Sequence, residues 1–166
     1  MILENVTKIL DLYNSQDWSE YSTYHNLEVK NKHDKKLKRN TWVHIDRIPK
    51  FSFVRKLINS ELDKGYVASE FITLLVYEKG DFFSKHIDNV GNEPPSSMIE
   101  LTGGYLLNDN FEGGEFFLND QKLETPVGSL FTFGRKEVHE VKQITKGKRY
   151  SLHFTVNRIK TKSSFL

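Results

Sequence analysis

The chain contains no cysteine, which removes disulfides, thiolate nucleophiles and cysteine-bound zinc together. Any metal must be held by His, Asp or Glu. Long apolar runs are missing too: the chain opens Met-Ile-Leu-Glu-Asn-Val-Thr-Lys, with an early acid, so neither a signal peptide nor a membrane span is expected. That predicts a soluble, cytoplasmic protein without a membrane partner. An excess of one charge is also lacking. The formal net charge of +2 does not by itself call for a polyanionic partner, although charge can still be concentrated locally. There is no internal repeat and no low-complexity segment. What remains is 166 residues, 37% hydrophobic and 13% aromatic, with twelve phenylalanines and seven tyrosines. This length suits a single domain, and this composition favours a β-rich core.

Residues 1–66 read as a support of helices and loop, and residues 67–158 as a β core. Ile2, Val6, Ile9, Leu10 and Tyr13 follow the spacing of one helical face. Residues 15–40 are polar and end in a run of lysines, and read as an exposed loop or arm. A second helix is expected after Pro49, with Phe51, Val54, Leu57, Ile58 and Leu62 on its apolar face and Gly65 beyond its end. From Phe71 onward short apolar runs alternate with turn formers, the pattern of an all-β sandwich or barrel. Strands are expected over 71–77, 101–107, 115–118, 129–133, 138–144 and 149–156.

In an extended chain His86 and Asp88 point to one face, so an imidazole and a carboxylate aim at one point. His139, just past the turn Gly134-Arg-Lys136, supplies a third ligand from a later strand. Two histidines and one carboxylate cover one face of an octahedral metal and leave three positions open. That suits non-haem Fe(II) oxygen chemistry better than a closed zinc site. Arg149 follows ten positions after His139. A hairpin turning at Lys146-Gly147-Lys148 would set it on the strand beside His139, facing the same cavity. A buried guanidinium is costly without an anion, and a dicarboxylate co-substrate matches it in bidentate geometry.

The ordered set Tyr77 with Gly80, His86-Ile-Asp88, Gly113-Gly114-Glu115, Pro126-Val-Gly128-Ser-Leu-Phe, His139-Glu-Val141 and Gly147-Lys-Arg149-Tyr resembles the Fe(II)/2-oxoglutarate-dependent dioxygenase superfamily, in its prolyl 4-hydroxylase-like branch. The resemblance covers about residues 71–156. It implies a double-stranded β-helix (jelly roll, cupin-like) with iron held by His86, Asp88 and His139 as the catalytic set. It also implies 2-oxoglutarate and O2 as co-substrates, with Arg149 on the C5 carboxylate and ascorbate as a helper reductant. Collagen-type members generally carry lysine there, so arginine makes the chain look more like the oxygen-sensing prolyl hydroxylases. By the same comparison Tyr77 and Tyr105 offer phenol donors to the co-substrate, and Ser151 assists the C5 carboxylate. His153 shares the parity of Arg149 and Ser151 and is read as a core histidine, not a ligand.

The activity so implied is hydroxylation coupled to decarboxylation of 2-oxoglutarate to succinate and CO2. A prolyl side chain of a protein or peptide is the leading substrate, with free amino acids and other small molecules behind it. Residues 89–97, containing Pro94-Pro95, form either a rim of the site or a plain connection. The basic run over 30–39 is where a nucleobase demethylase reading starts. It lacks the interleaved aromatics that stack bases, so it reads as a solvated arm and nucleic acid is not the expected partner. A non-catalytic jelly-roll binding protein is a further alternative, opposed by the intact triad and Arg149. Oligomeric state is left open.

Overall fold

The computed structural model describes residues 1–19, 21, 24–30, 36–88 and 99–159. Two α-helices and twelve strands follow in the order α1 (Leu3–Asn14), β1 (Tyr24–Lys30), β2 (Lys36–His44), α2 (Phe53–Glu61), β3 (Tyr66–Tyr77), β4 (Phe82–His86), β5 (Ile99–Leu106), β6 (Glu112–Gly113), β7 (Phe116–Leu118), β8 (Gln121–Lys122), β9 (Leu130–Gly134), β10 (His139–Val141), β11 (Ile144–Lys146) and β12 (Arg149–Arg158). Strands β8-β7-β10-β4-β2-β3-β12-β5-β9 pair in that spatial order, with β1 added to β2, while β11 and β6 form a separate pair. The sheet curls so that its β4-β10-β7 arm and its β3-β12-β5-β9 arm face one another. This is the jelly-roll arrangement, in which curling leaves an interior between two walls.

Strand parity sorts the long β12 into two jobs. Leu152, Phe154 and Val156 point outward and meet Val6 and Ile9 of α1 and Val54 and Ile58 of α2 in the larger core. Arg149, Ser151 and His153 point inward, to the space between the walls. Apolar residues at helical spacing and at alternate strand positions thus build one packed layer, and burial of each such aliphatic side chain contributes roughly 1.5–3 kcal/mol. A second cluster of Tyr77, Phe116, Phe133, Val141 and Ile144 fills the interior at one end. Both helices fall where the periodicity places them. Pro49, however, opens a short 3-10 turn, Pro49–Phe51, before α2.

Three expectations are corrected. Residues 15–40 are not simply an exposed arm, nor is the stretch before residue 67 only helix and loop: β1 and β2 run through it. Of the basic run over 30–39, residues 31–35 lie outside the described residues, whereas 36–39 open β2. Here β2 is held by its partners, Thr41 opposite Val76 and Val43 opposite Leu74 on β3, and tertiary pairing overrides the weak strand preference of lysine and asparagine. The region over 138–144 is two strands, because β10 joins β7 and β4 while β11 leaves to pair with β6. Consequently no hairpin sets Arg149 beside His139. The chain turns through Gly147, at a φ of 76° open to glycine, and crosses to the opposite wall, where β12 lies between β3 and β5. Residues 89–97 lie outside the described residues.

Candidate active site

Antiparallel pairing brings the two histidines together. His139 on β10 stands directly opposite His86 on β4, and their ring centres are 4.1 Å apart. Asp88 follows β4 by two residues, its amide held by the carbonyl of Arg135 at 3.1 Å. One ligand atom from each of His86, Asp88 and His139 lies within 4.8 Å of the others. The Nδ1 atoms contact the backbone carbonyls of Ser84 (2.8 Å) and Glu137 (2.9 Å). A carbonyl can only accept, so each Nδ1 carries the hydrogen and each Nε2 turns a lone pair to the centre.

The charges fit a metal. His139 Nε2 stands 3.4 Å from Asp88 Oδ1, an arrangement of two acceptors that needs a proton or a metal ion between them. Burial pushes the His86 pKa down to about 4, so its ring is neutral and free to coordinate at neutral pH. For Asp88 burial opposes the charge, but contacts from His139 and the Thr102 hydroxyl outweigh it and hold the pKa at about 2. Thr102 on β5 donates to the other oxygen, Oδ2, and so fixes the carboxylate. Phe83 stacks on His86 at 3.5 Å, and Phe133 packs 4.6 Å from His139. These rings pack both imidazoles in place.

The triad opens on a cavity of about 660 Å³ walled by β2, β3, β12, β5 and β9 on one side and β4, β10 and β7 on the other. Arg149 reaches into it from β12 and is 2% exposed. Its Nη1 donates to Ser151 Oγ at 2.8 Å, and its guanidinium carbon lies 5.6 Å from the Tyr77 ring centre. No carboxylate pairs with it among the described residues, and its Nε is buried without a partner. Burial lowers its pKa, with Tyr77 opposing. Tyr77 is itself 1% exposed, and burial pushes its phenol up to about 12, so it stays protonated as a donor. Asn40 hydrogen-bonds Tyr77 and leaves its own buried Oδ1 unpartnered.

Not every expected residue arrives. Tyr105 stands opposite Leu152 and so shares the outward face with it. Its ring lies in the larger core and its hydroxyl donates to Glu61 Oε2 of α2 at 3.0 Å. It is no co-substrate donor: one step of parity separates it from Gly104, which does line the cavity. Conversely Lys38, Asn40, Trp42 and His44, alternate residues of β2, line the cavity unforeseen. The alternation in Lys38-Arg-Asn-Thr-Trp-Val-His44 was the available signal. Thr73 lines the cavity too and meets His44 Nδ1 through its hydroxyl at 3.0 Å, while nothing in the sequence marks Thr102.

A jelly roll whose interior offers a facial two-histidine, one-carboxylate triad and a buried arginine is the frame of a non-haem metal oxygenase. Residues 72–157 match the model of the 2OG-Fe(II) oxygenase superfamily, and the chain belongs to that family. Membership implies Fe(II), 2-oxoglutarate and O2. The chain is similar to a PKHD-type hydroxylase of Shewanella oneidensis, 31% identical over 45% of this chain and 37% of that protein. It also resembles one of Idiomarina loihiensis, 24% identical over 90% and 69%. The chain therefore spans little more than a third of the first of these relatives. Among solved structures, a Pseudomonas putida prolyl-4-hydroxylase matches with a TM-score of 0.64 at 17% identity, over 96% of this chain and 89% of that one. The non-heme alpha ketoglutarate dependent epimerase SnoN of nogalamycin biosynthesis matches at 0.68 and 11% identity, over 99% and 78%. Such low identities speak for the fold alone. No helix among the described residues is long and apolar enough to cross a membrane.

Proposed function

We propose that the chain is an Fe(II)- and 2-oxoglutarate-dependent hydroxylase acting on prolyl residues of a protein or peptide. The observation that carries the hydroxylase reading is Arg149: a buried cation with no acidic partner among the described residues, sharing a cavity with a metal triad. A buried charge is strongly unfavourable unless paired, and the C5 carboxylate of 2-oxoglutarate supplies the pair. His86, Asp88 and His139 hold the iron, Arg149 with Ser151 holds the far end of the co-substrate, and Tyr77 adds a phenol donor beside it. When bound, iron and 2-oxoglutarate supply the oxidising power that hydroxylates a C–H bond, with succinate and CO2 as the other products.

The protein's share is position and shelter. Thr102 keeps Asp88 oriented, the Phe83, Phe116 and Phe133 rings pack around the histidines, and the inner face of β2 receives the substrate. The hydroxylase relatives support hydroxylation, and the prolyl assignment draws its support from the fold shared with a prolyl-4-hydroxylase. A small-molecule substrate is the second reading, since one fold serves many reactions.

Purified protein supplied with Fe(II), ascorbate and 2-oxoglutarate in air should release succinate slowly without added substrate. His139→Ala should abolish release, and Arg149→Ala should raise the 2-oxoglutarate concentration required. Unchanged release in both variants would refute the hydroxylase reading. Mass spectrometry of a proline-peptide panel should then find one added oxygen on proline. Product from a free amino acid and from no peptide would overturn the prolyl assignment.

A further inference from the structure

The inner face of β2 carries a charge that the chemistry above does not use. Lys38 points into the cavity alongside Trp42 and His44. Its ammonium has no hydrogen-bonding or ion-pairing partner among the described residues, and it lies over the Phe83 ring, 5.1 Å from the ring centre. That ring is the one stacked on His86, so the ammonium stands one aromatic ring away from an iron ligand. Burial lowers the Lys38 pKa, and no acid among the described residues compensates. The neighbouring Arg39 differs: it ion-pairs with Asp81 at 2.9 Å.

The charges of the loaded site show what is left over. Among the described residues lining the cavity Asp88 is the only carboxylate, and Lys38 and Arg149 are the only permanent cations. Coordinated histidines are neutral, and burial keeps His44 and His153 neutral as well. A divalent metal and Arg149 are balanced by Asp88 and the two carboxylates of 2-oxoglutarate. Lys38 then remains as one uncompensated, partly desolvated positive charge beside the reacting centre. Attraction to an anion is stronger in such a place than in water.

We propose that Lys38 is a specificity-determining residue and that the molecule oxidised here is an anion, presenting one carboxylate to the Lys38 ammonium while Trp42 and His44 bear on its apolar part. This rests on the hydroxylase reading for the charge balance and deepens it. A prolyl substrate would carry the acid on a neighbouring residue or as its own terminal carboxylate.

Binding tests this without turnover. Trp42 becomes the sole indole in a Trp18→Phe background, since the chain has two tryptophans. Its fluorescence is followed as protein loaded with Zn(II) and N-oxalylglycine, an inert isostere of 2-oxoglutarate, is titrated with benzoate, benzamide or benzylammonium at one ionic strength. Benzoate should bind at least about tenfold more tightly than the other two, the scale of a charge-assisted contact. Lys38→Met should abolish that preference, and Lys38→Arg should keep it. The proposal is overturned if benzoate does not bind, if the neutral or cationic probe binds as well, or if the preference survives Lys38→Met. It is also overturned if Lys38→Met weakens N-oxalylglycine as much as Arg149→Met does, because Lys38 would then belong to the co-substrate clamp. Failure of N-oxalylglycine to bind the wild type would instead sink the hydroxylase reading, and the benzoate titration on Zn(II) protein alone would still report on Lys38.

Discussion

Replacing Arg149 by methionine separates a residue kept for the fold from one kept for a ligand. The side chain is buried, makes one hydrogen bond to Ser151 and lies near the Tyr77 ring, and has no counter-ion among the described residues. Burying a charge costs several kcal/mol in a real protein interior. Against this stand about 1.5–3 kcal/mol for a charge-assisted hydrogen bond and up to about 2 kcal/mol for a desolvated cation over a ring. Methionine fills similar space without the charge. The ligand-free Arg149→Met protein is therefore expected to be as stable as wild type or more stable by about 1–3 kcal/mol. In a chain of this length each kcal/mol moves the melting temperature by roughly 2–4 °C.

With ligand the order reverses. Two bonds from the guanidinium to a carboxylate are worth about 3–4 kcal/mol together, so N-oxalylglycine binding to the Zn(II) protein should weaken by two to three powers of ten, roughly. Thermal melts with and without N-oxalylglycine, and calorimetric titration, measure both halves. A variant that loses more than about 2 kcal/mol without ligand would show the arginine to be a structural member. Unchanged affinity would show that the anion binds elsewhere.

Other perturbations probe the surrounding frame. Tyr105→Phe removes the bond to Glu61 and should cost about 1 kcal/mol in urea unfolding while leaving N-oxalylglycine affinity unchanged; weakened binding would return Tyr105 to the cavity. His86 has a folded pKa near 4 against an ordinary 6.5, so between those values the unfolded chain binds the extra proton. The metal-free protein should thus lose stability as pH falls from about 6.5 to about 4, with no further loss from this group below that. His86→Gln should flatten the slope of urea midpoint against pH, and an unaltered slope would contradict the burial of the ring. At Gly104 an added Cβ would stand 2.5 Å from Phe131 Cζ and 3.0 Å from the Leu152 carbonyl oxygen. Gly104→Ala should therefore destabilise by about 1–3 kcal/mol in the same denaturation assay, and a neutral result would mean that β5 and β9 yield more easily than their packing implies.

Spacing along one strand and its exit is local information, and it made the site legible. His86 and Asp88 were readable because extended backbone repeats every second residue, and Arg149, Ser151 and His153 shared a face for the same reason. The packing faces of α1 and α2 followed from helical period. The amino-acid sequence thus determined which residue types lie two apart, and that a β-rich core would be packed with two short helices. Tertiary structure decided which strand each residue would face. It put His139 opposite His86 by pairing β10 with β4, carried Arg149 to the other wall through Gly147, and drew a lysine-rich stretch into the cavity as β2. It turned Tyr105 outward beside Leu152 and brought Thr102 to Asp88. Strand partners are chosen by burial and hydrogen bonding across long separations, and a single slip of register reverses the face of every side chain. Which residues alternate is written in the chain; which of the two faces meets the metal is settled only when the sheet curls.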